Sequence, residues 1–223
     1  MLLDLFCCGG GASMGYHEKG FQIVGVDIKK KRDYPFKQIK MDVLDLFKVK
    51  PKSWFEQFDL IHASPPCQKY SRAAKGASWG EVSQVDLITP VREFLQTLNV
   101  PYVIENVEGS PLINPIKLCG SMFGLKVRRH RLFECSFNAH DFHELTCNHK
   151  KQGKPVGVYG SMGDTVKGVC SVTGKTVYGG STAKTVKEAQ ISMGIDWLKW
   201  GDLKESIPPS YTNYIGDIFL EGV

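Results

Sequence analysis

The stretch "LLDLFCCGGGASMGYHEKGFQIVGVD", residues 2–27, constrains the fold more than any other part of the chain. An apolar run leads into three consecutive glycines, a helical pattern closed by Gly20, and a second apolar run ending in Asp27. Strand, glycine turn, helix and strand in so few residues form a βαβ unit, which lays two parallel strands side by side. "KQIKMDV" and "FDLIHA" read as further strands, a helix is expected over residues 85–99, and "PYVIENV" follows as another strand. Pro90 either kinks that helix or opens its regular part behind Thr89. The fold class is therefore α/β, a doubly wound parallel sheet whose ligands sit at the carboxyl ends of its strands.

The rhythm changes after "RRHRLFECSF". Residues 138–183 are rich in Gly, Lys, Thr and Val, with short β-like runs in "PVGVYG" and "KTVYGG", and read as a small inserted lobe. Helical signals return in "TVKEAQISMG", and "YTNYIGDIFL" sets Tyr211, Ile215, Ile218 and Phe219 on one face. The expected division is a catalytic and cofactor-binding domain at 1–137, the lobe at 138–183, and C-terminal helices at 184–223 returning to the first domain. With 42% hydrophobic and 23% charged residues the composition is that of a globular protein. The N-terminal run carries Asp4 and is too short to span a bilayer. Seven cysteines without a framework of spacings point to free thiols in a reducing cytoplasm. A formal charge of +5 leans modestly toward polyanionic partners.

Gly9, Gly10 and Gly11 allow a tight turn and close approach of a ligand to the backbone. Asp27 ends the second strand, where a carboxylate can accept hydrogen bonds from a ribose, and Asp42 ends the third; capping of helices or turns is the alternative for each. In "SPPCQKYS", Pro65 and Pro66 hold Cys67 on an extended course just past a strand. A lone cysteine is more often a small buried hydrophobe, but the strand end and polar sequel argue against burial. Glu105 emerges from "YVIENV" at the same sheet edge, where a charge needs a purpose or a partner. Arg129 and Arg131 alternate onto one face of a strand, to grip an anion or simply to form a solvated basic edge. His140, His143, Cys147 and His149 fit no ordinary zinc spacing, and no metal is expected.

"DLFCCGGG", "SPPCQKYS", "IENV" and "RRHR", in this order and on these elements, resemble the motifs of the cytosine-carbon-5 DNA methyltransferase family. The resemblance covers residues 1–136 and returns more faintly in "TVKEAQISMGIDW" and "IPPSYTNYIG". It implies a Rossmann-like methyltransferase sheet using S-adenosylmethionine, with the lobe placed as a target-recognition region. By resemblance Cys67 is the thiolate that adds to carbon 6 of cytosine, making carbon 5 nucleophilic. Glu105 would hold ring nitrogen 3 and the exocyclic amine. Arg131 would support the same flipped base, and Arg129 would help position Glu105 or the base. The cofactor would meet Phe6, Gly9, Gly10, Gly11, Asp27, Ile28, Asp42, Val43, Pro66 and Ser210.

The loop 68–80, with Lys69, Arg72 and Lys75, suits closure over DNA, and Lys150, Lys151, Lys154, Lys167 and Lys175 would contact phosphate. Cys8 replaces the family's first glycine, so the turn either accepts it without positive φ or is altered. Pro208-Pro209-Ser210 replaces a Gly-Asn pair before a small residue, Val127 a Gln, and Tyr70 a Phe. The partner expected is double-stranded DNA, with no membrane and no partner protein, for a monomeric stand-alone modifier in a prokaryotic or viral-host cytoplasm. Transfer RNA as substrate, or a catalytically silent binder of the same fold, are the alternatives.

Overall fold

The computed structural model describes residues 1–67, 70, 85–169 and 176–222. Seven strands form one sheet: β1 (Leu2–Leu5), β2 (Ile23–Asp27), β3 (Lys37–Lys40), β4 (Leu60–Ala63), β5 (Tyr102–Asn106), β6 (Ile116–Leu118) and β7 (Arg131–Cys135). Their order is β3-β2-β1-β4-β5-β7-β6. The first five run parallel, whereas β7 lies antiparallel to both β5 and β6. The order reverses at β1, which opens a crevice beyond its carboxyl end and that of β4. Both strands are buried throughout, as strands between two helical layers must be, and each carries one polar residue, Asp4 and His62.

One layer holds α1 (Gly11–His17) against α8 (Pro209–Glu221). Gly15 makes this contact possible, because a Cβ there would stand 2.0 Å from the carbonyl oxygen of Pro209. The face of α8 carrying Tyr211, Ile215, Ile218 and Phe219 is buried against Leu2, Tyr16, Leu60 and Val103. The other layer holds α2 (Val43–Val49), α3 (Lys52–Phe55) and α4 (Ile88–Leu95), with Leu46, Phe55, Val91 and Leu95 packed on Leu3, Leu5, Ile61 and Ile104. Pro90 opens α4 rather than kinking it: it lies in the first turn, where Asp86 accepts hydrogen bonds from the amides of Ile88 and Thr89.

The inserted segment holds a short helix, α5 (His149–Gln152), and a three-stranded sheet of β8 (Val156–Gly157), β9 (Thr165–Val169) and β10 (Thr176–Thr182), ordered β8-β10-β9. Its Val158 and Ala183 share a third core with α6 (Val186–Met193) and α7 (Trp200–Glu205) through Ala189, Met193 and Leu203. Thr185 caps α6 by accepting from the Glu188 amide, and Gly194 ends it in the left-handed region. The loop residues Lys69, Arg72 and Lys75 and the side chains of Lys167 and Lys175 lie outside the described residues, while Lys150, Lys151 and Lys154 are exposed. Among the described residues no helix is long and apolar enough to cross a membrane.

Candidate active site

The strand registers bring the candidate residues to one edge. Leu5 pairs with Val26 and with Ala63, and Asp27 with Lys40, so Phe6, Asp27, Met41 and Ser64 leave neighbouring strands together. Cys67 follows Ser64, and its course is fixed from the next strand. Asn106, the last residue of β5, donates from Nδ2 to the carbonyl of Pro65 at 2.9 Å, in a buried contact. The carbonyl of Cys67 in turn accepts from the Tyr70 amide at 2.9 Å. Pro65 is buried and Pro66 exposed, which leaves the Cys67 thiol half-buried at the crevice. Burial pushes this thiol above its ordinary pKa; Arg131 and then Arg129 pull it back, while Glu105 pushes it further up.

Glu105 is buried near the end of β5, and Arg131 opens β7 with Nε 3.0 Å from Glu105 Oε1. The N–H is not aimed along that contact, so the pair is held by charge, and Oε1 has no hydrogen-bond partner among the described residues. Burial raises the Glu105 carboxyl, against the lowering pull of Arg131, Ser64 and Arg129. Behind it runs a polar chain on the same sheet face. The Tyr16 hydroxyl lies 3.1 Å from His62 Nδ1, and His62 Nε2 lies 2.8 Å from Ser64 Oγ, within reach of Glu105. His62 is fully buried and its pKa falls to about 3, so it is neutral. Burial holds the Tyr16 phenol protonated, so it donates to Nδ1, Nε2–H donates to Ser64, and the Ser64 proton is left for the carboxylate.

Arg129 differs from expectation. It precedes β7 with φ +38°, so it does not alternate with Arg131 along a strand. Its guanidinium donates to the carbonyls of Val158, at 3.2 Å, and Lys204, tying the inserted lobe to α7. Burial and the charge of Arg131 lower its pKa, while its buried Nε has no partner among the described residues.

In the glycine turn, Cys8 has φ +44° and Phe6 φ +61°, which corrects the expectation that Cys8 would avoid positive φ. The turn keeps the shape of a glycine turn at the strain cost of a side chain in the left-handed region. The Asp27 carboxylate stabilises it: one oxygen accepts from the Cys8 amide at 3.0 Å and the other from the Lys29 amide at 2.9 Å. The Cβ-side space at Gly9 and Gly11 is filled by this chain itself, with Leu198 side-chain atoms 2.7 Å and the Ile207 carbonyl oxygen 2.3 Å from where a Cβ would stand. Trp197 Nε1 donates to the Gly9 carbonyl at 3.0 Å. These two glycines thus serve close packing of the C-terminal segment, a role the sequence reading did not assign.

Ile28 is 59% exposed beside Asp27. Asp42 caps α2, accepting from the amides of Leu44 and Asp45, and Val43 is buried in the second core. Ser210, in the first turn of α8, has a buried Oγ with no partner among the described residues. Three residues outside the sequence reading complete the setting: Asn106, His62 and Asp4. Asp4 is fully buried on β1 and accepts from Ser13, whose hydroxyl lies 2.8 Å from that of Tyr34. Burial first, and the charges of Asp27 and Glu105 after it, raise the Asp4 pKa to about 7.

Comparison with known proteins agrees with this fold. The solved structure of a DNMT2 mutant from Spodoptera frugiperda aligns with a TM-score of 0.62 at 16% identity, over 98% of this chain and 99% of that one. The Dnmt2 methyltransferase of S. pombe aligns with a TM-score of 0.62 at 14% identity, over 99% and 98%. The Entamoeba histolytica methyltransferase EhMeth aligns with a TM-score of 0.59 at 14% identity, over 99% and 97%. At these identities the likeness is one of fold. No curated protein matches the sequence significantly. The family model for C-5 cytosine-specific DNA methylases matches residues 1–114, just over half of the chain and the part that carries Cys67 and Glu105. Its methyl donor is S-adenosylmethionine, which is therefore the cofactor of this chain. By that match, and on the fold that accompanies it, the chain belongs to the C-5 cytosine-specific DNA methylase family.

Proposed function

We propose that the chain methylates carbon 5 of a cytosine flipped out of double-stranded DNA, with Cys67 as nucleophile and Glu105, Arg129 and Arg131 as its supporting residues. The observation that carries this reading is the convergence of the Cys67 thiol with the buried Glu105–Arg131 pair, in which Glu105 Oε1 has no hydrogen-bond partner among the described residues. Carbon 5 of cytosine is a poor nucleophile. Addition of the Cys67 thiolate to carbon 6 spends the carbon 5–carbon 6 double bond, pushes an electron pair toward carbon 5 and ends the aromaticity of the ring. Glu105, its carboxyl raised by burial against the pull of Arg131, holds nitrogen 3 and the exocyclic amine and stabilises that electron density. After methylation a base removes the carbon-5 proton, and the returning electron pair expels the thiolate. The reaction needs the base outside the stack, because carbon 6 is shielded within a duplex.

When bound, S-adenosylmethionine supplies an electrophilic methyl group on a sulfonium centre. The residues at the crevice fit such a molecule in part. Phe6, Asp27, Ile28, Asp42 and Pro66 leave adjacent strands at one edge, Ile28 is open, and the Ser210 hydroxyl awaits a partner. Gly10 keeps the turn tight, with φ +84°, while Gly9, Gly11 and Val43 act from behind by packing. The lobe at 138–183 is proposed as the target-recognition region, its Lys150, Lys151 and Lys154 available to phosphate. The working form proposed is a monomer in a prokaryotic or viral-host cytoplasm.

The test incubates the protein with tritium-labelled S-adenosylmethionine and either unmethylated duplex DNA or transfer RNA, beside a Cys67→Ser variant, followed by base analysis. Label in 5-methylcytosine from DNA, absent in the variant, is expected. Label only in RNA would move the substrate, and label in neither would remove the enzyme.

A further inference from the structure

We propose that Cys119, His130, Cys147 and His149 form a tetrahedral zinc site that clamps the arginine-bearing segment before β7 to the inserted lobe. The four side chains offer two sulfurs and two imidazole nitrogens whose ligating atoms all lie within 4.8 Å of one another. Cys119 Sγ is 3.3 Å from His149 Nε2, and Cys147 Sγ is 3.5 Å from His130 Nε2. Zinc–sulfur and zinc–nitrogen bonds of ordinary length, at tetrahedral angles, set sulfur and nitrogen about 3.5 Å apart. Two thiolates and two neutral imidazoles cancel the charge of a divalent cation, and this soft donor set favours zinc over magnesium or calcium. Four protein ligands leave no open position, which makes the site structural.

The sequence separates these ligands, but the fold gathers them from three segments. Cys119 follows β6 and His130 precedes β7, and the loop between them is closed by a 2.7 Å hydrogen bond from the Gly120 amide to the Arg128 carbonyl. Cys147 and His149 come from the start of α5. That helix docks on the same loop through Gln152 Nε2, which donates to the carbonyls of Leu125 and Val127 at 2.8 Å each. The surroundings are those of ligands held in orientation. His130 turns Nε2 to the cluster and Nδ1 toward the Glu108 carboxylate, 3.6 Å from Oε2, the side from which a carboxylate orients a metal-binding histidine. Ser121 Oγ lies 3.2 Å from Cys119 Sγ and accepts from the Asn148 amide. His140 and His143 stand apart, His140 Nε2 at the Asn114 carbonyl and His143 Nδ1 at the Tyr214 hydroxyl.

The consequence is positional. His130 lies between Arg129 and Arg131, so a metal on its ring anchors the backbone from which both guanidiniums extend.

The experiment measures metal in the full chain, purified under reductant from zinc-supplemented culture, by plasma mass spectrometry with a parallel thiol count. One zinc per chain is expected, lost in Cys147→Ser and retained in the double variant His140→Ala, His143→Ala. Should Cys147→Ser fail to fold, protein from cobalt-supplemented culture decides. Thiolate-to-cobalt charge-transfer absorption with intense tetrahedral d–d bands supports the site, and their absence overturns it. Only trace metal in the wild-type protein, a Cys119–Cys147 disulfide in its place, or zinc retained in full by folded Cys147→Ser would also overturn it.

Discussion

Asn106 reaches from the end of β5 to the carbonyl of Pro65, 2.9 Å away, and so couples the strand bearing Glu105 to the turn bearing Cys67. The Cys67 turn and the Glu105 strand thus share one anchor. Replacement of Asn106 by Ala frees that carbonyl and lets the thiol drift by a fraction of an ångström to an ångström. A methyl-transfer rate about 100-fold lower is expected. The DNA affinity and Tm should change little by comparison, so single-turnover kinetics with both readouts checks the claim.

Arg131 holds the Cys67 thiol below the value that burial and Glu105 alone would give it. In Arg131→Gln the thiol should titrate higher than in the parent, because the lowering charge is gone. Alkylation of the Cys67 peptide by iodoacetamide, followed by mass spectrometry across pH, should show its midpoint moving to more alkaline pH. A midpoint that stays or falls would mean that the thiol does not sense this guanidinium.

Asp4 and His62 face each other across the β1–β4 register, both fully buried, and their titrations oppose one another. The Asp4 carboxyl moves from 3.8 up to about 7 in the fold, so its contribution to stability is complete below pH 3.8 and is lost as pH rises through 7. The His62 imidazole moves from 6.5 down to about 3, so its contribution is present above pH 6.5 and is lost as pH falls toward 3. The two slopes partly cancel in the parent. Asp4→Asn should make Tm climb more steeply between pH 4 and 7, and His62→Leu should make it fall over the same range. Scanning calorimetry of both variants separates the terms.

Glu134 accepts two hydrogen bonds from Arg92, 2.8 Å from Nε and 2.7 Å from the terminal nitrogen, and a third from the Ile113 amide at 2.7 Å. Removing one member of such a buried pair strands the other. Glu134→Ala should lose ~3–5 kcal/mol in urea unfolding. A loss below ~1 kcal/mol would mean that water replaces the carboxylate.

The sheet was legible because its signals are local. Leu2–Leu5, Ile23–Asp27 and Leu60–Ala63 are short apolar runs bounded by turns, and the buried face of α8 follows from helical period alone. Cys67 and Glu105 stood out for an equally local reason, a polar group at the end of an apolar strand. Long-range pairing was not legible. Asn106 reads as one more polar residue until the carbonyl of Pro65 is seen beside it. His62 reads as a strand residue until α1 brings Tyr16 to it. Arg129 looked like a strand neighbour of Arg131, but its positive φ turns it toward the lobe instead. The Cys147–His149 pair gave no ordinary spacing because its companions, Cys119 and His130, lie on the far side of β7 in sequence.

In the proposed reaction the Cys67 thiolate bonds to carbon 6 of the target cytosine. Fluorine at carbon 5 cannot leave as a proton does, so a duplex in which 5-fluorocytosine replaces cytosine should halt the reaction after methyl transfer with the enzyme still attached. The measurement is denaturing electrophoresis of the protein with that duplex and S-adenosylmethionine, followed by peptide mapping of the shifted band. An adduct that survives denaturation, maps to Cys67 and is absent in Cys67→Ser is expected. Methyl transfer to ordinary duplex DNA with no adduct at Cys67 on the fluorinated one would contradict it.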